Sequence, residues 1–247
     1  MILFELKADS RGLDELPSTG PYATYVAGHP DGRITRRSSF NFGAYQSGIA
    51  GFGRVRVFGD EIFTPSAGYN MHPHHNFIIM AFVLKGALTH INTLVKVDTL
   101  QPGDYYAFSA GSGGKHCELN VEHEDLNVLY LWMLPDRLHA PPGYARGRFD
   151  FATDKNCIVP LAGFGGGLEL RQDLKVSRLF SDAGRAYPYP TRSRAHGSYL
   201  FVIEGQATVD GRALGRRDSI ALAEADSFEI AAGHDGTDIL IVETIRP

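Results

Sequence analysis

Two short patterns in this chain could do chemistry. Met71-His72-Pro73-His74-His75 carries imidazoles at alternate positions, and Lys115-His116-Cys117-Glu118 carries an imidazole and a carboxylate in the same spacing. Both lie in segments of strand character, and a strand sends residues i and i+2 to one face. His72 and His74 then point one way, as do His116 and Glu118. If the two strands face each other inside a barrel, three imidazoles and one carboxylate converge. Imidazole suits Fe, Ni, Cu or Zn, and the carboxylate tolerates a harder ion such as Mn. Four protein ligands leave one or two positions free on a five- or six-coordinate ion, and an open position distinguishes a catalytic site from a closed structural one. Glu118 could also act as a general base toward an acidic hydroxyl. The same alternation sends Cys117 to the opposite face and predicts that it is not a ligand.

The elements that must position these residues are strands. Ile78 to Leu84 is apolar on both faces, and Gly86 and Pro102-Gly103-Asp104 mark turns. With a regular register, Asn76, Ile78, Met80 and Phe82 share the face of His72 and His74, which predicts a mostly apolar pocket wall. Phe52 to Phe58 alternates and reads as a strand that Gly59-Asp60 ends. Leu126 to Leu134 reads as the last strand of this half, with Trp132 in its core. Asp31-Gly32 is a hairpin turn, and Arg33-Ile34-Thr35-Arg36-Arg37 reads as a solvated strand edge. Pro135, Pro141-Pro142-Gly143 and Arg146-Gly147-Arg148 form a non-periodic crossing. The expected division is a metal-binding barrel over 1–140 and a second barrel over 141–247. Gly163-Phe164-Gly165-Gly166-Gly167 lacks the Lys-Ser/Thr of a phosphate loop and reads as a lead into a strand. No helical pattern exceeds about ten residues, so the expected class is all-β.

An internal repeat supports two barrels. Phe82 to Thr89 matches Phe201 to Thr208 at an offset of 201 − 82 = 119, and Gly103-Asp104 matches Arg217-Asp218 at 218 − 104 = 114. One barrel module used twice fits this pattern. The same offsets carry positions 72, 74, 116 and 118 onto Thr191, Ser193, Ile230 and Ala232, none a good ligand. His196 and His234 lack partners at period two and read as ordinary polar residues. One metal per chain follows.

With 247 residues, a formal charge of −4 and 28 glycines, the chain has room for two modest domains rich in turns. The acidic balance gives no footprint for direct nucleic-acid binding. No run approaches the roughly 20 apolar residues of a membrane helix. Two cysteines make no disulfide framework, so a reducing cytoplasm is the expected compartment.

Ser39-Phe40-Asn41-Phe42-Gly43, Gly68-Tyr69-Asn70-Met71-His72-Pro73-His74, Gln101-Pro102-Gly103-Asp104, Ser109-Ala110-Gly111 and His116-Cys117-Glu118 together resemble the pirin branch of the cupin superfamily. The resemblance runs from about residue 38 to 149 and more loosely to the C-terminus. It implies two cupin barrels (double-stranded β-helix, or jelly-roll) in tandem. It also implies metal ligands at His72, His74, His116 and Glu118, with iron foremost and Mn, Ni, Cu and Zn as alternatives. Two departures stand out: His75 where pirins often have Arg, and Cys117 where they often have Ser. The resemblance implies a metal-dependent dioxygenase of the quercetin 2,3-dioxygenase type, opening a flavonol ring with Glu118 as the catalytic base. The alternative is a non-enzymatic, redox-sensing pirin that binds transcription regulators or metabolic enzymes. The expected pocket wall favours an enzyme with a small aromatic substrate, but fold alone does not choose.

Overall fold

The computed structural model describes residues 1–43, 45 and 48–246. It is a β protein: apart from two 3-10 turns, Ala8–Ser10 and Gly20–Tyr22, its regular elements are strands. Two compact units, each a cupin barrel, divide the chain.

The first barrel comprises Gly12–Gly51 and Val55–Arg148. One sheet has the order Gly143–Arg148, Asp104–Ser109, Ile78–Lys85, Leu126–Met133, Val55–Phe63, Arg33–Ser38, Gly12–Pro17. The other has the order Val26–Gly28, Ala67–His74, Gly114–Leu119, Leu88–Asn92, Lys96–Leu100. Their inner faces meet in one core containing Ile34, Phe63, Tyr69, Ile79, Ala81, Val83, Tyr106 and Tyr130. Alternation along each strand places these side chains inside.

The second barrel contains residues 1–11, 52–54 and 149–246. These limits differ from 1–140 and 141–247 for a reason of pairing. Ile2–Leu6 lies antiparallel to Ser219–Ala223, so the first strand of the chain belongs with the last barrel. Gly143–Arg148 pairs along its whole length with Asp104–Ser109, so the crossing ends only after it. The core of this barrel includes Leu179, Tyr189, Leu200, Val202, Ile230, Ile239 and Ile241.

Pairing also revises the repeat. In the first barrel His116 lies opposite His72; in the second, Ile230 lies opposite Tyr187. The offsets are therefore 230 − 116 = 114 and 187 − 72 = 115. The counterparts of His72 and His74 are Tyr187 and Tyr189, not Thr191 and Ser193. The gap assumed absent before residue 82 lies in the connection from Pro190 to His196, which is longer than that from His74 to Ile78.

Four local expectations are corrected. Val55–Phe63 continues through Gly59-Asp60, because Gly59 pairs with both Tyr130 and Ser38. Arg33–Ser38 is an interior strand between Gly12–Pro17 and Val55–Phe63, and Arg36 is buried. Asp31-Gly32 joins strands of different sheets rather than a hairpin. The glycine run leaves strand Ile158–Gly163 instead of leading directly into the next, Leu174–Ser181.

Candidate metal centre

Strands Ala67–His74 and Gly114–Leu119 pair antiparallel, with His116 opposite His72 and Glu118 opposite Tyr69. Two residues on one strand, Asn70 and Met71, therefore stand opposite one on the other, Cys117, which is a β-bulge. A regular strand would send Tyr69 and His72 to opposite faces; the bulge lets both turn inward. Their rings meet edge to face at 5.9 Å.

The structure brings His72, His74, His116 and Glu118 together. One ring nitrogen from each histidine lies within 4.8 Å of the others. Glu118 Oε2 stands 4.0 Å from His72 Nε2 and 3.7 Å from His116 Nε2. Three hydrogen bonds aim these groups. His72 Nδ1 lies 2.7 Å from the Asn70 carbonyl, which can only accept, so Nδ1 carries a proton and Nε2 is the ring nitrogen left for the cluster. His116 Nδ1 meets His90 Nε2 at 3.1 Å. The Tyr106 hydroxyl donates to Glu118 Oε1 at 2.5 Å, leaving Oε2 facing the imidazoles.

Burial sets the electrostatics. His74 is pushed down to about 3, by desolvation first and then by the neighbouring His116 and His72. His116 is lowered by the same burial and by His72. Neutral imidazoles are the form that ligates a metal. His74 Nε2 and His116 Nε2 are buried and have no partner in the protein. Buried nitrogens of this kind are normally satisfied. Two such atoms beside a carboxylate oxygen form a donor set that fits a divalent metal, and outer hydrogen bonds to His72 and Glu118 fit the usual support of such ligands.

Beside the cluster lies a pocket lined by Tyr25, Arg36, Phe42, Glu61, Tyr69, His72, Glu118, Tyr130 and Trp132. Tyr25, Phe42 and Trp132 are half-buried and form an aromatic rim, while the other six are buried and mostly polar. Trp132, expected in the core, stands edge-on to His74 at 4.8 Å and to Phe42 at 5.3 Å. Asn76, Ile78, Met80 and Phe82 do not line it. Asn76 takes a left-handed φ of 56°, which breaks the register between the histidines and the next strand. Ile79, Ala81 and Val83 consequently face the barrel core, and Phe82 stacks on Tyr105.

Sequence reasoning missed Arg36, Glu61 and Tyr130. The Gly59-Asp60 pair masked the strand that carries Glu61, although its alternation continues to Phe63. Arg36 Nη2 bonds Asp14 Oδ2 at 2.8 Å, and its guanidinium lies 4.3 Å over the Phe42 ring. His90 was also missed. It is buried and stacks between Tyr106 at 4.2 Å and Tyr144 at 5.2 Å. His75 stays outside the cluster, while His196 bonds Ser193 Oγ and lies 3.3 Å from Asp173. Cys117 is buried, pairs with Ile91 and is not part of the cluster.

Comparison with known proteins agrees with this architecture. The pirin family model matches residues 24–133, and the quercetinase C-terminal cupin domain matches residues 157–244. A quercetin 2,3-dioxygenase of Escherichia coli K12 is 26% identical over 199 residues, which cover 79% of this chain and 85% of that protein. A pirin-like protein of Caulobacter vibrioides is 28% identical over 221 residues, covering 87% and 95%. The crystal structure of bacterial pirin YhhW from Escherichia coli in complex with nickel(II) superposes with a TM-score of 0.86, at 21% identity and with both chains fully covered. No helix among the described residues is long and apolar enough to cross a membrane. With both barrels matched and the motifs in place, the chain belongs to the pirin family.

Proposed function

We propose that this protein is a metal-dependent dioxygenase of the quercetin 2,3-dioxygenase type, with His72, His74, His116 and Glu118 as the ligands of one divalent metal, iron foremost. The observation that carries this reading is the pair of buried, unpartnered Nε2 atoms of His74 and His116 beside Glu118, in a site that opens on an aromatic-rimmed pocket. When bound, a redox-active divalent metal supplies Lewis-acid activation of a hydroxyl and electron exchange with dioxygen. The remaining work falls to the chain. Tyr106 fixes one oxygen of Glu118, so the other can accept the proton of a flavonol 3-hydroxyl. Phe42, Trp132 and Tyr25 can hold the flat ring system by stacking and edge contacts. Loss of that proton prepares the flavonol for dioxygen-dependent opening of its central ring, with release of carbon monoxide. The proposed setting is a reducing cytoplasm, where the free thiols Cys117 and Cys157 are stable.

Oxygen uptake by the metal-loaded protein with quercetin and other flavonols tests this. Consumption that scales with metal content is expected. A fully metallated protein that consumes no oxygen with any of them would end the dioxygenase reading in favour of a metal-dependent binding protein.

A further inference from the structure

The pocket beside the metal centre holds more polar machinery than the proposed chemistry uses. Arg36, Glu61 and Tyr130 line it at 6%, 4% and 3% exposure. The Tyr130 hydroxyl and Arg36 Nε are buried without a partner in the protein. Native interiors rarely leave such donors unmet. Glu61 is anchored rather than loose, since the Tyr69 hydroxyl donates to its Oε2 at 2.6 Å. Gly59 makes room for this carboxylate: a Cβ there would come within 3.0 Å of Glu61 Oε1.

We propose that Arg36, Glu61 and Tyr130 form a hydroxyl-recognition subsite that selects polyhydroxylated aromatic substrates over those bearing a single hydroxyl. The proposal rests on the reading of the pocket as a site for a small aromatic substrate. A phenolic hydroxyl needs one donor for its oxygen and one acceptor for its hydrogen. Tyr130 and Arg36 supply donors, and Glu61 supplies the acceptor. Burial lifts Glu61 to about 7, against the opposing effects of Arg36 and Tyr69. Size points the same way. The free volume open to a water-sized group is about 10 Å³, enough for about one hydroxyl and too small for a ring. The ring system stays at the aromatic rim of Tyr25, Phe42 and Trp132.

The test is an anaerobic absorption titration of the nickel-loaded protein with quercetin and with 3-hydroxyflavone, which lacks the further hydroxyls. Wild type is expected to bind quercetin about tenfold tighter or more, the worth of one well-made hydrogen bond. Tyr130→Phe and Glu61→Gln should each erase most of that preference while leaving 3-hydroxyflavone binding unchanged. Tyr130→Phe should also melt no lower than wild type, because the hydroxyl it removes has no partner in the free protein. A purely structural tyrosine would not separate the two ligands. Absence of a preference in wild type, or a preference that survives both substitutions, overturns the subsite. A preference without any oxygen consumption upholds the subsite and retires the dioxygenase. If neither flavonol binds, both readings fall.

Discussion

The two barrels share a strand plan and differ in what they leave unsatisfied. In the first, the Tyr130 hydroxyl and Arg36 Nε are buried without protein partners in residues that line one pocket, and His74 Nε2 and His116 Nε2 are equally unpartnered in the histidine cluster beside it. In the second, the fully buried Glu243 has its charge met: Lys175 Nζ at 3.2 Å, the Tyr189 hydroxyl at 3.0 Å and the Arg192 backbone N–H at 2.5 Å. Lys175 and Arg192 both lie over the Phe164 ring, at 5.4 and 4.3 Å. Where the first barrel has His72 and His74, the second has Tyr187 and Tyr189, and the Tyr189 ring belongs to the core. The cavity beside His196 has no room for a water molecule. The second barrel also buries unpartnered polar atoms, among them Ser198 Oγ and Ser219 Oγ, so the two copies differ in which groups are left unmet: imidazole nitrogens gathered beside a carboxylate in the first, and in the second a carboxylate answered by the barrel's own groups.

The sharpest break of that comparison is metal content. His74→Ala should reduce the proposed one metal per chain to near zero, whereas His196→Ala should leave it unchanged, by elemental analysis of the purified proteins. Loss in His196→Ala, or two metals per wild-type chain, would erase the asymmetry. Next in size, Glu118→Gln keeps an oxygen donor without basicity. Turnover should fall roughly 10²–10⁴-fold, the usual worth of a positioned base, with metal content assayed in parallel. Equal rates would remove Glu118 as the base.

The second barrel is probed through its ion pair. Lys175→Met strands the Glu243 carboxylate in the interior and should cost about 3–5 kcal/mol in denaturant unfolding, whereas Lys175→Met with Glu243→Leu should recover most of that loss. A single substitution costing under about 1 kcal/mol, as surface pairs do, would show that the pair is not structural.

The smallest effect concerns Glu61. Burial raises its pKa from 4.5 in the unfolded chain to about 7 in the fold. The folded state therefore binds the proton more tightly, and the stabilisation is complete below pH 4.5 and lost as pH rises to about 7. The distance between these two values bounds the effect at about 3 kcal/mol. Metal-free wild type should lose stability relative to Glu61→Gln between about pH 5 and 7, and a pH-independent difference would show that Glu61 titrates normally.

Much of this was legible in the chain. Alternating histidines, the repeat and the turn residues predicted two β barrels and the convergence of His72, His74, His116 and Glu118, because period-two spacing is local information. The pocket wall was not legible. Asn76 adopts a left-handed conformation that shifts the following strand by one face, and nothing in its neighbours forces that choice. Glu61 was hidden by a glycine read as a stop, when Gly59 instead makes space for the carboxylate. Arg36 looked solvated because its partners, Asp14 and Phe42, are brought beside it only by sheet assembly.

The bulge opposite Cys117 makes the centre depend on counting as well as on chemistry. Between Tyr69 and His72 the strand carries one residue more than its partner requires. Excising Asn70 or Met71 would leave every proposed ligand in the sequence and restore an even ladder. Tyr69 and His72 would then stand two apart, as His116 and Glu118 do, and a regular strand would keep both on the inward face. Losing the bulge without losing a residue is the damaging change: at their present spacing of three, an even ladder sends either the tyrosine that holds Glu61 or the histidine outward. A gap of one position there is therefore compatible with the constellation, whereas a slip of register is not.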